Sequence, residues 1–235
     1  MTITGSAKQW SIQVPDKTTA TLSSFSCFAE LGAGDRFIAA ASYTIILEDI
    51  SRFISMIRPW HRKYYRQIAD CRVFTVNESV SISPEDNSEH RFYVLGSPDW
   101  VNVVPITPAK EVVCIRQYRH GSEEITLEIP GGLVDPGEAP REAAARECLE
   151  ETGYKVNELI SLGRLRPNPA LMGNSVHTFM AQGVTQIAQV DNGLTEHTEV
   201  ELIPLSRIHD LLVAGEIDHA LITSTLWRML YTMNQ

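Results

Sequence analysis

The sequence predicts an α/β fold, and three observations predict it. Residues Cys71 to Ile82 alternate apolar and polar side chains, the period of a half-buried strand, and more strand-like runs follow. Ala139 to Thr152 is rich in Ala, Glu and Arg, all good helix formers. Ile208 to Val213 and His219 to Thr232 read as two helices parted by Ala214-Gly215.

In chain order, residues 1–55 carry no motif. Asp16 to Ser26 and Gly32-Ala-Gly34 are expected as loops, and Phe37 to Ile54 as strand or short helix. The texture changes at Met56. Ile57 to Tyr65 is basic and aromatic, and Trp60, Tyr64 and Tyr65 are expected to pack or to make a subunit contact, with base stacking the alternative. The strand over 71–82 turns at Ser83-Pro-Glu-Asp-Asn-Ser88 and returns over His90 to Leu95. Trp100 to Ile106, Glu111 to Tyr118 and Thr126 to Ile129 are further strands, followed after the helix by 157–165, 176–181 and 200–205. His177 reads as a satisfied packing histidine, and no repeats or low-complexity tracts occur.

The chemistry concentrates between Glu128 and Tyr154. Pro130, Gly131, Gly132, Pro136 and Gly137 punctuate a loop. Pro140 suits the first helical turn, where its missing N–H costs nothing. Gly153 stands where a left-handed cap is expected. On the helix between them, Glu147, Glu150 and Glu151 are spaced i, i+3 and i+4, so they share a face and repel. Two readings are open. The cluster is a solvated acidic face partnered by Arg141 and Arg146, or it is a site for a hard divalent cation, which prefers clustered carboxylate oxygens.

The spacing discriminates. Gly132, five residues, Glu138, seven residues, then Arg146-Glu147-Cys148-Leu149-Glu150-Glu151-Thr152-Gly153-Tyr154 resembles the Nudix box, G-x5-E-x7-R-E-U-x-E-E-x-G-U with U apolar. Every fixed position is filled. Cys148, where a larger aliphatic residue is usual, is a mild departure, because buried Cys acts as a small hydrophobe. The resemblance implies an α/β/α sandwich with a mixed sheet that cleaves a nucleoside diphosphate linked to another group. It implies Mg²⁺, with Mn²⁺ as a substitute, on Glu147, Glu150, Glu151 and the Gly131 carbonyl, with Gly132, Glu138 and Arg146 in support.

Three further features resemble the ADP-ribose pyrophosphatase subgroup: Ile115-Arg-Gln-Tyr-Arg119 before the box, Pro169 at a spacing of 15 residues after Tyr154, and Gly215-Glu-Ile-Asp-His-Ala-Leu221. The resemblance covers roughly residues 56–235. It implies that Arg119 and Glu128 hold substrate or loop, that Pro169 marks the subgroup and is a substrate-binding position, and that a flexible loop within Gln189 to Glu201 supplies the catalytic base. Glu196 and Glu199 both remain candidates, while Glu201 lies within a strand. It also implies homodimerisation through the strands at 72–95. The expected division is an extension of unclear role at 1–55, N-terminal antiparallel strands at 56–98 and the hydrolase domain at 99–235. The first 55 residues are expected to be a dispensable appendage or an upstream extension of the reading frame.

Composition sets the outer limits. At 235 residues the chain is one domain, or one with an appendage, and 43% apolar residues suffice for a globular core. Net charge is 20 − 29 = −9, which argues against extended nucleic acid or an anionic membrane as partner. Cys27, Cys71, Cys114 and Cys148 form no metal or disulfide spacing and are expected as free thiols in a reducing cytoplasm. No apolar run reaches the roughly 18 residues of a membrane span. Two alternatives stand beside the ADP-ribose reading: another nucleoside diphosphate derivative, such as a dinucleoside polyphosphate or a coenzyme, and a nucleotide sensor without turnover.

Overall fold

The computed structural model describes the backbone strands at 2–6, 9–13 and 19–22 and all of residues 57–192 and 197–235. The chain divides into two compact units, Met1–Met56 and Ile57–Gln235. In the first, β1 (Thr2–Ser6), β2 (Gln9–Gln13) and β3 (Thr19–Leu22) form an antiparallel sheet in that order. The loop expected across Asp16 to Ser26 therefore contains a strand. Its Thr-Ala-Thr-Leu run carries the β-favouring threonines that the polar composition obscured. The expectation for Phe37 to Ile54 lies outside the described residues.

The second unit opens with a three-stranded antiparallel sheet of β4 (His61–Asp70), β5 (Thr75–Ile82) and β6 (Glu89–Gly96). Strand β4 is exposed throughout, which is why its sequence shows no burial period. Central strand β5 buries Glu78 between Arg66 and Arg91 on its two neighbours, at 3.5 and 3.4 Å. The β5–β6 turn closes with Ser83 and Asn87, and hydrogen bonds from Ser88 hold the Asp86 carboxyl down at about 2.

The main sheet runs β12 (Ile160–Leu165), β13 (Val176–Gln182), β7 (Trp100–Ile106), β8 (Glu111–Arg119) and β15 (Thr198–Pro204). Strand β9 (Glu124–Glu128) pairs with β8, and β10 (Gly131–Leu133) pairs with β7. The sheet is mixed: β13 lies parallel to β7, and the other pairs are antiparallel. Short strands β11 (Tyr154–Lys155) and β14 (Thr185–Gln186) pair apart from it.

Alternation along the strands feeds two cores. Val101, Val103, Val113 and Phe179 face helix α1 (Pro140–Thr152), which offers Ala143, Ala144 and Cys148. Val104, Ile106, Cys114 and Ile203 face α2 (Ile208–Ala214) and α3 (Ala220–Met233). The arrangement is helix, sheet, helix, as expected. The small residues of α1 let its backbone approach the sheet closely, and Cys148 is fully buried there. Burial pushes the Cys148 and Cys114 thiols up to about 12, so both remain protonated. Among the described residues, no helix is long and apolar enough to cross a membrane.

Candidate active site

Helix α1 starts and stops by local rules. Pro140 occupies the first turn, and the Glu142 carboxylate accepts the Ala139 N–H at 3.2 Å. Gly153 ends it at φ 75°, with its N–H donating to the Leu149 carbonyl at 2.8 Å. A side chain on Gly153 would be strained in that conformation and would meet the Ala188 carbonyl oxygen at 2.1 Å.

The loop before α1 is tied to the helix at three places. The Gly131 N–H donates to Glu151 Oε2 at 2.8 Å, across 20 positions of sequence. Glu151 is buried, so this bond helps offset the cost of enclosing its charge. The Glu147 carboxylate rests on the Cα of Gly132, where a β-carbon would lie 2.4 Å from Oε1. Arg146 forks onto Glu138, Nε to Oε1 at 3.0 Å and Nη2 to Oε2 at 2.9 Å, and Nη2 also reaches the Leu133 carbonyl at 3.0 Å. Its Nη1 donates to Glu147 Oε1 at 2.9 Å and Glu150 Oε2 at 3.1 Å. The Arg146 bonds hold the Glu138 carboxyl below its ordinary value, and Glu138 above all raises the guanidinium further.

The donor set suits a hard divalent cation: three carboxylates on one helix face beside a glycine turn that a β-carbon would fill. Among the described residues, no three acidic, His or Cys side chains converge as a cation cage. The Glu147 and Glu150 oxygens are turned onto Arg146 instead.

A second acid stands on β9. Glu128 is 2% exposed and accepts a two-bond fork from Arg119, at 2.7 and 2.7 Å, plus the Thr126 hydroxyl at 2.6 Å. Burial pushes its carboxyl up, but the Arg119 and Thr126 bonds and the Arg119 charge outweigh burial and hold it low. Pro169 is exposed in the turn between β12 and β13, whose Leu171 carbonyl accepts the Leu95 N–H at the end of β6.

Asp191 and Thr198, the first residue of β15, both bond to the last turn of α1. The Asp191 N–H donates to the Glu150 carbonyl at 2.8 Å, and the Thr198 hydroxyl to the Glu151 carbonyl at 2.9 Å. Thr198 thus faces α1. Its neighbour Glu199 lies within β15 beside Arg116 of β8, and strand alternation puts it on the opposite face. Glu196 falls outside the described residues.

The NUDIX domain family matches residues 97–224, more than half of the chain and a span that includes the box. The chain belongs to the Nudix hydrolase family. Among its relatives, an ADP compounds hydrolase of Escherichia coli is 32% identical over 68% of this chain and 86% of its own length. An ADP-ribose pyrophosphatase of Bacillus subtilis is 28% identical over 48% of this chain, which spans 60% of that relative. A crystal structure of an ADP compounds hydrolase superposes with a TM-score of 0.67 at 26% identity, covering 75% of this chain and 95% of that one. The Nudix family acts on pyrophosphate bonds and generally uses divalent metals.

Several positions of this Nudix protein escape a reading of the sequence. Asp191, through its N–H, and Thr198, through its hydroxyl, bond to backbone carbonyls of α1, and such bonds leave no motif. Asp99 accepts the Ser175 N–H at 2.9 Å and pairs with His177 at 2.9 Å, while its own carbonyl takes the Val134 N–H of the box loop. His177 is thus satisfied, as expected, but by an acid 78 residues away that no spacing reveals.

Proposed function

We propose that this protein hydrolyses the pyrophosphate bond of ADP-ribose or a related nucleotide-sugar, releasing a nucleoside monophosphate and a sugar phosphate. With ADP-ribose the products are AMP and ribose 5-phosphate. The observation that carries the reading is the seating of the box turn on α1, with Gly131 bonded to Glu151 and Gly132 against the Glu147 carboxylate. The Arg119–Glu128 fork and the relatives that act on ADP compounds and ADP-ribose support the substrate class.

Glu147, Glu150, Glu151 and the Gly131 carbonyl would hold Mg²⁺ or Mn²⁺. When bound, the ion supplies charge neutralisation at the pyrophosphate and a more acidic water. Water oxygen adds to one phosphorus, the bridging P–O bond breaks, and its electron pair leaves with the other phosphate. The base accepts the water proton. Of the two candidates for that base, Glu199 lies on the face of β15 away from α1, so Glu196 is preferred. Arg119, forked onto Glu128, would steer the anionic substrate, and Pro169 would contribute to the substrate side.

A homodimer fits the same reading. Strand β4 is exposed along its whole length, and Trp60, Tyr64, Tyr65, Phe92 and Tyr93 are each more than 40% exposed on that sheet. The test is a panel of nucleoside diphosphate derivatives at fixed Mg²⁺, with products identified by mass. Preferential release of AMP and ribose 5-phosphate supports the reading. Turnover confined to dinucleoside polyphosphates or coenzymes reassigns the substrate, and no turnover at all makes the chain a sensor.

A further inference from the structure

Arg146 uses its nitrogens in two separate groups. Nε and Nη2 hold the Glu138 carboxylate and the Leu133 carbonyl on the loop. Nη1 bridges Glu147 and Glu150, the i and i+3 carboxylates of one helix face. Two of the three carboxylates assigned to a divalent ion therefore already hold a cation.

We propose that Arg146 is a resident counter-cation, and that ion loading transfers Glu147 and Glu150 from its Nη1 to the divalent ion. This rests on the reading that those carboxylates are the ion's ligands. Without a cation, the acids of α1 repel along one face, and Arg146 relieves that repulsion. A guanidinium and a divalent ion repel each other, so they compete for the same two carboxylates. The planar guanidinium makes the exchange local, because one nitrogen can release its partners while the fork on the other edge stays made. The Glu138 fork and the Leu133 bond then keep the loop seated on α1 in both states. Glu151, bonded to the Gly131 N–H, takes no part in the exchange.

The test measures Mn²⁺ affinity by calorimetry on the full chain, in the natural protein, Arg146→Gln and Glu138→Gln. Competition predicts opposite signs. Arg146→Gln binds Mn²⁺ tighter, roughly fivefold, as expected when a partly exposed ion pair no longer has to be broken. Glu138→Gln binds more weakly, because Arg146 is then left to Glu147 and Glu150. Weaker binding in Arg146→Gln means that Arg146 only braces the site, and overturns the proposal. Should Arg146→Gln fail to fold, isotope-labelled arginine in the natural protein gives an independent readout. Adding Mg²⁺ should free rotation at Nη1 and leave the Nε signal in place. An unchanged Nη1 signal in a protein that binds the ion overturns the proposal, whereas no ion binding by the natural protein removes the underlying ligand assignment.

Discussion

The Glu147 carboxylate lies directly against the Cα of Gly132, with no room for a β-carbon between them. The neighbouring Gly131 faces backbone instead: a β-carbon there would meet the Val101 carbonyl oxygen at 2.3 Å. The two adjacent glycines therefore serve different ends, one the position of a carboxylate and the other the packing of β10 on β7.

The first prediction separates them. Gly132→Ala should fold, because the end of a flexible side chain can swing aside, but kcat should fall about 100-fold or more as Glu147 is displaced. Gly131→Ala should lose about 1–3 kcal/mol of stability, since backbone cannot yield. Thermal unfolding and kcat on both variants check this, and a fully active Gly132→Ala would remove the need for Glu147 at that position.

The second concerns Glu128, whose carboxyl is held low by Arg119 and Thr126 against its burial. A lowered folded-state value stabilises the fold above the ordinary carboxylate range, and that stabilisation is lost as pH falls through the folded value. Glu128→Gln should cost about 1.5–3 kcal/mol at neutral pH and much less in acid, where Glu128 itself is protonated. Denaturant titrations of both proteins at neutral and acidic pH give the difference, and a penalty that is constant with pH would count against the charged fork.

The third concerns the base. Glu196→Gln should lose kcat by roughly 10²–10⁴ with little change in KM. Glu199→Gln, on the face of β15 away from α1, should keep most of its kcat. The reverse pattern would place the base on the strand.

The fourth concerns the first unit. Ile57–Gln235 is compact in its own right, and the box, Arg119, Glu128 and the segment before β15 all lie within it. Expressed alone, Met56–Gln235 should match the full chain in melting temperature, oligomer mass and kcat/KM. Aggregation or a large loss of activity would show that residues 1–55 belong to the fold.

Local rules made the site legible and long-range pairing did not. The helix over Pro140–Thr152, its proline start and its Gly153 stop follow from residue type and spacing, as does the clustering of Glu147, Glu150 and Glu151. Partner choice does not follow in the same way. Arg141 and Arg146 both read as partners of the acidic face, but only Arg146 reaches Glu147 and Glu150, while Arg141 turns to the Leu159 carbonyl and the Phe179 ring. Glu199 reads as a loop acid until the register of β15 against β8 turns it away from α1. Strand β4 is exposed and so lacks the period that reveals a strand. Asp99 and Thr198 use their side chains on partners far away in sequence, Ser175 and His177 for one and the Glu151 carbonyl for the other, and no spacing reveals such pairs.

Glu151→Gln asks whether the α1 carboxylates serve pyrophosphate hydrolysis. The amide can still accept the Gly131 N–H, so the turn stays seated while one charge is removed. The measurement is kcat for ADP-ribose at saturating Mg²⁺, with AMP and ribose 5-phosphate identified by mass, alongside the melting temperature. The expected outcome is a folded protein whose kcat is lower by orders of magnitude, as the loss of several kcal/mol of charge stabilisation requires. Turnover close to that of the natural protein in Glu151→Gln would contradict it.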